Sequence, residues 1–151
     1  AVLEALKAGK MKKYVTDFAN PKVVGAEGTI VTPHLGASTK ESEDNCAVMA
    51  VKEIRDFLEN GNVKNSVNFP NCDMGVCTGA GRVTICHKNI PGMLGAFTTV
   101  MGNAGVNISD MTNKGKGDYA YTMMDLESKA TEEMVKALEA VDGVLKVRII
   151  K

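Results

Sequence analysis

The stretch Arg82-Val83-Thr84-Ile85-Cys86-His87-Lys88-Asn89-Ile90-Pro91-Gly92-Met93-Leu94 decides the fold of the C-terminal half. Val83, Ile85 and His87 alternate with Thr84 and Cys86, the two-residue period of a strand running from Arg82 to Lys88. Pro91 then belongs in the first turn of a helix whose apolar stripe is Leu94, Phe97, Met101 and Ala104, with Gly105 as its stop. Val106 to Asn113 reads as a second strand, Gly115-Lys116-Gly117-Asp118 as a hairpin turn, and Tyr119 to Glu127 as a third strand. Thr131 caps a second helix, Glu132 and Glu133 suit the positive end of its dipole, and Met134, Val135, Leu138 and Val141 form its buried face. Asp142-Gly143 turns into a last strand, Val144 to Ile150. The order βαββαβ predicts a ferredoxin-like split βαβ domain over residues 82–151.

Working back from Arg82, residues 61–81 change character. Asn62, Asn65, Asn68 and Asn71, then Gly75, Gly79 and Gly81, punctuate a stretch without core-sized periodicity, which reads as a linker. Before it, a Ser38-x-x-Glu41 capping box opens a long helix with Ala47, Val51, Ile54 and Leu58 on its apolar face, closed by Asn60-Gly61. Further upstream lie a short helix ended by Gly9, a strand at Tyr14–Phe18 and a strand at Thr29–Val31. Helix, strand, loop, strand is the closing pattern of a doubly wound parallel sheet, so residues 1–60 are expected to be the tail of an α/β domain with its following helix. The first helix begins without an N-cap, which reads as part of a longer protein.

Over 151 residues, 18 basic side chains balance 18 acidic ones, and nothing electrostatic favours nucleic acid or an anionic membrane as partner. No apolar run approaches the roughly 20 residues of a membrane span, and no signal-peptide pattern opens the chain. Cys46, Cys72, Cys77 and Cys86 form no Cys-x-x-Cys pair. They read as reduced thiols of a cytoplasmic protein, with no metal site implied.

The segment Thr32-Pro33-His34-Leu35-Gly36-Ala37-Ser38-Thr39 places a titratable ring in a stiff exit from a strand, because Pro33 fixes its own φ and biases Thr32 to extended backbone. Pro33 to Thr39 closely resembles the catalytic-histidine loop of the D-isomer-specific 2-hydroxyacid dehydrogenases, most of all that of the D-3-phosphoglycerate dehydrogenases. His87 to Leu94, with Gly105-Val106-Asn107-Ile108, resembles the ACT regulatory domain, in particular the serine-binding kind found at the C-terminus of those same enzymes.

The resemblance implies roles residue by residue. His34 exchanges a proton with the substrate hydroxyl while hydride moves to NAD; Gly36 and Ala37 keep the loop small beside the nicotinamide; Asp17 holds the nicotinamide amide. Taken on its own, Asp17 is equally a strand-terminal turn former. His87, Asn89 and Asn107 are implied to hold L-serine between paired domains. Singly, Asn89 reads as a helix cap, Asn107 as a solvated strand start and His87 as an edge-strand polar residue. The family's glutamate before the proline that follows the first strand is replaced by Asn20, with Glu27 the nearest acidic candidate to take its part. The family's nucleotide-binding glycines and substrate arginine would precede Ala1, so these residues alone are expected to be inactive. The expected parent is an NAD-dependent enzyme acting on 3-phosphoglycerate, regulated by L-serine, a homo-oligomer through ACT pairing at the first-strand edge. Another 2-hydroxyacid dehydrogenase, such as a glyoxylate or hydroxypyruvate reductase, and a non-catalytic amino-acid-sensing module are the alternatives.

Overall fold

The computed structural model describes residues 1–151, in two compact units, Ala1–Val48 and Met49–Lys151. In the first unit, α1 (Val2–Lys7) is terminated by Gly9 at φ 69°. β1 (Tyr14–Thr16) and β2 (Thr29–Val31) pair in parallel, Tyr14 beside Thr29 and Thr16 beside Val31. Val23 is buried, whereas Val15, Ile30 and Val31 stand 44–61% exposed on the strands. α2 (Lys40–Asn60) runs across the division of the units. Its cap is Thr39 and not Ser38: the Thr39 hydroxyl accepts the Ser42 N–H at 3.1 Å, one residue later than the capping box predicts. Gly61 closes it at φ 78°. The expected apolar stripe exists, but Val51, Ile54 and Leu58 are 58–64% exposed.

The second unit holds β3 (Gly81–Lys88), α3 (Met93–Asn103), β4 (Ile108–Lys116), β5 (Tyr119–Leu126), α4 (Glu132–Glu139) and β6 (Val144–Ile149). The sheet order is β4-β5-β3-β6 with every neighbouring pair antiparallel, the strand order of a ferredoxin-like unit. β3 is therefore central and has no free edge; the edges are β4 and β6, which corrects the expected first-strand pairing edge. β3 has the most to bury, with every residue from Gly81 to Ile85 inaccessible. Three local boundaries also move. Pro91 precedes α3, whose N-cap is Gly92 at φ 87°, so the proline sets the entry and lies outside the first turn. The second strand starts at Ile108 and extends to Lys116, leaving Gly117-Asp118 as a two-residue turn with Gly117 at φ 60°.

The two faces of the sheet bury different things. Val83, Ile85, Met124 and Leu126 face Phe97 and Met101 of α3 and Leu138 of α4, all 0% exposed. Each such side chain contributes about 1.5–3 kcal/mol of burial. On the other face Tyr121 and Met123 pack against Val63 and Cys72. That second layer is the segment expected to be a linker. Residues 61–77 form a strap across the sheet, held by the Val63–Cys72 bridge (N–H···O 2.8 and 3.0 Å), by the Tyr121 hydroxyl donating to the Gly61 carbonyl (2.8 Å), and by Asn62, which accepts the Met74 N–H (3.0 Å). A buried guanidinium fastens it. Arg82 donates to the carbonyls of Asn60 (2.9 Å), Gly75 (2.7 Å) and Met74 (3.3 Å) while pairing with Asp125. Gly61 lies so close to Thr84 that a Cβ there would stand 2.6 Å from its methyl, so the strap joins the sheet at a position that admits only glycine. The C-terminal end of α2 joins this layer, with the Arg148 guanidinium 4.2 Å above the Phe57 ring. This packing draws the unit boundary back from 60/61 into α2. No helix is long and apolar enough to cross a membrane.

Candidate functional site

In the first unit, the C-terminal ends of two parallel strands bring the predicted residues together. Asp17 and Phe18 follow β1; Thr32, Pro33 and His34 follow β2, and the Thr32 N–H donates to the Thr16 carbonyl (3.0 Å), extending the ladder by one rung. The His34 ring meets the Phe18 ring edge-on, centroids 5.5 Å apart, and both are exposed. The Ser38 N–H donates to the Leu35 carbonyl (3.0 Å), so Gly36 and Ala37 occupy the centre of a tight turn beside the histidine. His34 makes no hydrogen bond. The Asn20 side chain accepts the Lys22 N–H (3.0 Å) and acts as a turn former. Glu27 lies before β2, at the opposite end of the strand pair from His34, which removes it as the ring's carboxylate partner.

The second unit gathers a denser polar cluster on the helix-facing side of the sheet. His87 is 2% exposed and lies edge-on to Phe97, ring centroids 5.0 Å apart. Its Nδ1 is 2.8 Å from the Lys88 carbonyl. Its Nε2 is 2.9 Å from Thr122 Oγ1 and 3.2 Å from Asn113 Oδ1, and these two oxygens are themselves 2.9 Å apart. The ring fits because the residues paired with it across the sheet are small: Ala120 stands opposite His87, and Gly115 opposite Ala120. His87 is thus an interior strut and not the edge-strand polar residue the sequence suggests. The Asn89 amide lies over Gly115, where a Cβ would come within 2.9 Å of its Nδ2, and that Nδ2 donates to the Gly117 carbonyl (3.1 Å). An amide nitrogen facing a carbonyl can only donate, so the Asn89 oxygen is the end left free.

Asn107 is exposed, one residue before β4, and its backbone carbonyl accepts the Glu127 N–H (3.1 Å). It sits at the Leu126 end of the sheet, whereas Asn89 sits at the Tyr119 end, the full length of β5 away. Within one chain, then, the structure brings His87 and Asn89 together and leaves Asn107 apart. Sequence reasoning missed Thr122 and Asn113. The signal for Asn113 was its phase, since it alternates with Met111 and Gly115 on the face that also carries His87.

The Tyr121 phenol and the Cys72 thiol are not tuned for chemistry. Burial pushes Tyr121 up to about 12 and Cys72 up to about 11, which disfavours the charged, nucleophilic forms. A cavity of about 330 Å³ lies between α2 and the strap, walled by Ile54, Phe57, Val63 and Phe69 over Tyr121; none of the predicted site residues lines it.

No protein-family model matches the chain. Among curated proteins, D-3-phosphoglycerate dehydrogenase of Haemophilus influenzae is 26% identical over 99% of this chain and 39% of its own length. The Escherichia coli K12 enzyme of the same name is 27% identical over 82% of the chain and 30% of its own length. D-3-phosphoglycerate dehydrogenase 1 of Saccharomyces cerevisiae is 29% identical over 71% of the chain and 23% of its own length. The chain therefore spans well under half of these relatives. Among solved structures, the ACT domain from GTP pyrophosphokinase of Chlorobium tepidum is 21% identical, covering 46% of this chain and 94% of its own, at a TM-score of 0.41. Along nearly all of its length the chain is similar to the C-terminal part of the D-3-phosphoglycerate dehydrogenases.

Proposed function

We propose that the chain serves as the C-terminal part of an NAD-dependent D-3-phosphoglycerate dehydrogenase, supplying its catalytic-histidine loop and an L-serine-binding regulatory domain. The observation that carries this is a single similarity running through both units, 99% of the chain against one such enzyme. In this reading His34 is the proton-exchanging group, and Asp17, Gly36 and Ala37 border the nicotinamide of NAD, the group that takes up the hydride. The residues at the ends of β1 and β2 fit that task in kind: an imidazole able to take and give a proton, a carboxylate acceptor for an amide, and a turn without bulky side chains. The protein works in the cytoplasm at the entry to serine synthesis, with 3-phosphoglycerate as substrate.

The effector site forms between two copies. β4 is an edge strand, and two-fold antiparallel pairing of β4 with β4 sets the start of one strand beside the end of the other. That brings Asn107 of the partner subunit to the Asn89–Gly115 corner, which one chain alone cannot do. The Asn89 oxygen suits the ligand ammonium, and α3, whose N-cap Gly92 offers no side chain, presents free N–H groups of the kind a carboxylate takes. The chain is expected to sediment as a dimer at micromolar concentration; a strict monomer across that range contradicts the pairing. Calorimetric titration with L-serine tests the site. Asn89→Ala and Asn107→Ala are each expected to weaken binding by roughly 5- to 150-fold, the loss of one hydrogen-bonding partner. Absence of serine heat in the unaltered chain, or unaltered affinity in both variants, overturns the reading.

A further inference from the structure

The geometry points to Asn113 as the specificity residue that reads the carboxylate of the zwitterionic ligand, an inference resting on the serine-site reading above. Three observations carry it. First, Asn113 lies on the edge strand β4 on the face that carries His87, two residues along from Gly115, over which Asn89 is laid; successive same-face residues are about 7 Å apart. Second, one end of its amide is fully engaged: Oδ1 takes the Thr122 hydroxyl (2.9 Å) and stands 3.2 Å from His87 Nε2. Third, the other end, Nδ2, has no protein partner and is not buried, so it is a held donor facing out of the cluster.

The complement is chemical as well as spatial. Asn89 spends its Nδ2 on the Gly117 carbonyl and presents an acceptor; Asn113 spends its Oδ1 on the Thr122 hydroxyl and presents a donor. An acceptor and a donor side by side match an ammonium and a carboxylate on one carbon. Thr122 acts as the positioning residue, since a half-buried asparagine without its hydroxyl could rotate and offer the wrong end. The hydroxyl of the ligand falls to Asn107 of the partner subunit.

The test compares L-serine with L-serinamide, which keeps the ammonium and hydroxyl but lacks the carboxylate, by calorimetry on the full chain. The unaltered protein is expected to prefer serine. Asn113→Asp keeps an oxygen toward Thr122 and His87 but turns the outward donor into an anionic acceptor. It should lower serine affinity at least about tenfold and reverse the preference toward serinamide. Asn113→Ala should lower serine affinity and shrink the preference without reversing it, and it serves alone if the aspartate variant fails to fold by thermal melting. A merely structural asparagine would weaken both ligands equally and leave their ratio unchanged. That outcome, in an unaltered chain that does bind serine, overturns this inference alone. No serine binding by the unaltered chain overturns the site reading and this inference with it.

Discussion

Asp125→Ala is expected to destabilise the second unit by about 3–5 kcal/mol, the usual cost of removing one member of a buried ion pair. Arg82 is 1% exposed, and the Asp125 side chain is 15% exposed. The guanidinium sends Nε and Nη2 to the two carboxylate oxygens, the latter at 2.7 Å, and spends its remaining donors on backbone carbonyls of residues 60, 74 and 75. The carboxylate holds the guanidinium in its charged form. Without it, a desolvated cation keeps only neutral acceptors. Asp125→Asn retains one acceptor and should cost less. Urea unfolding followed by circular dichroism measures both; a loss below about 1 kcal/mol for the alanine variant would show that the pair is not holding the strap down.

His34→Ala in a full-length enzyme is expected to lower kcat by roughly 10²–10⁴, the range for a general acid–base. The assay uses a protein of the relatives' full length, because the chain spans well under half of them. The ring is exposed, makes no hydrogen bond, and meets the Phe18 ring edge-on, so truncating it should leave the fold intact. Glu27→Gln should leave kcat unchanged, since that side chain belongs to the far end of the strand pair. Steady-state kinetics with phosphoglycerate and NAD reads both; an unchanged kcat in His34→Ala removes the histidine from the mechanism.

What could be read from the sequence was what is local. Thr131, Gly105 and Gly117 sit where their caps and turn require, and the βαββαβ order followed from alternation and helical spacing. The strap could not be read. Its order comes from Arg82, Asn62 and Tyr121 satisfying its carbonyls and amides across long sequence separations, and no periodicity announces that. Sheet order is likewise non-local, which is why β3 appeared to offer an edge it does not have. The stripe on α2 told which face is apolar and nothing about what covers it. The burial of His87 was legible from its phase with Val83 and Ile85, but the motif around it suggested a ligand group at the surface.

With helices on one face of the sheet and the strap on the other, unpaired backbone remains only along β4 and β6. Any neighbour must then add in the plane of the sheet, and the choice of edge decides between a closed object and an endless one. Joining β4 to β4 consumes like edges and stops at two chains, whereas joining β4 to β6 repeats without limit and makes a fibre. Each edge carries one register slip, opposite Cys86 and His87 on β6 and between Ile108 and Asp110 on β4, and each carries two cations; what separates them is length, six residues in β6 against nine in β4. The longer edge offers the more rungs to a second copy, and pairing there is growth that ends as it begins.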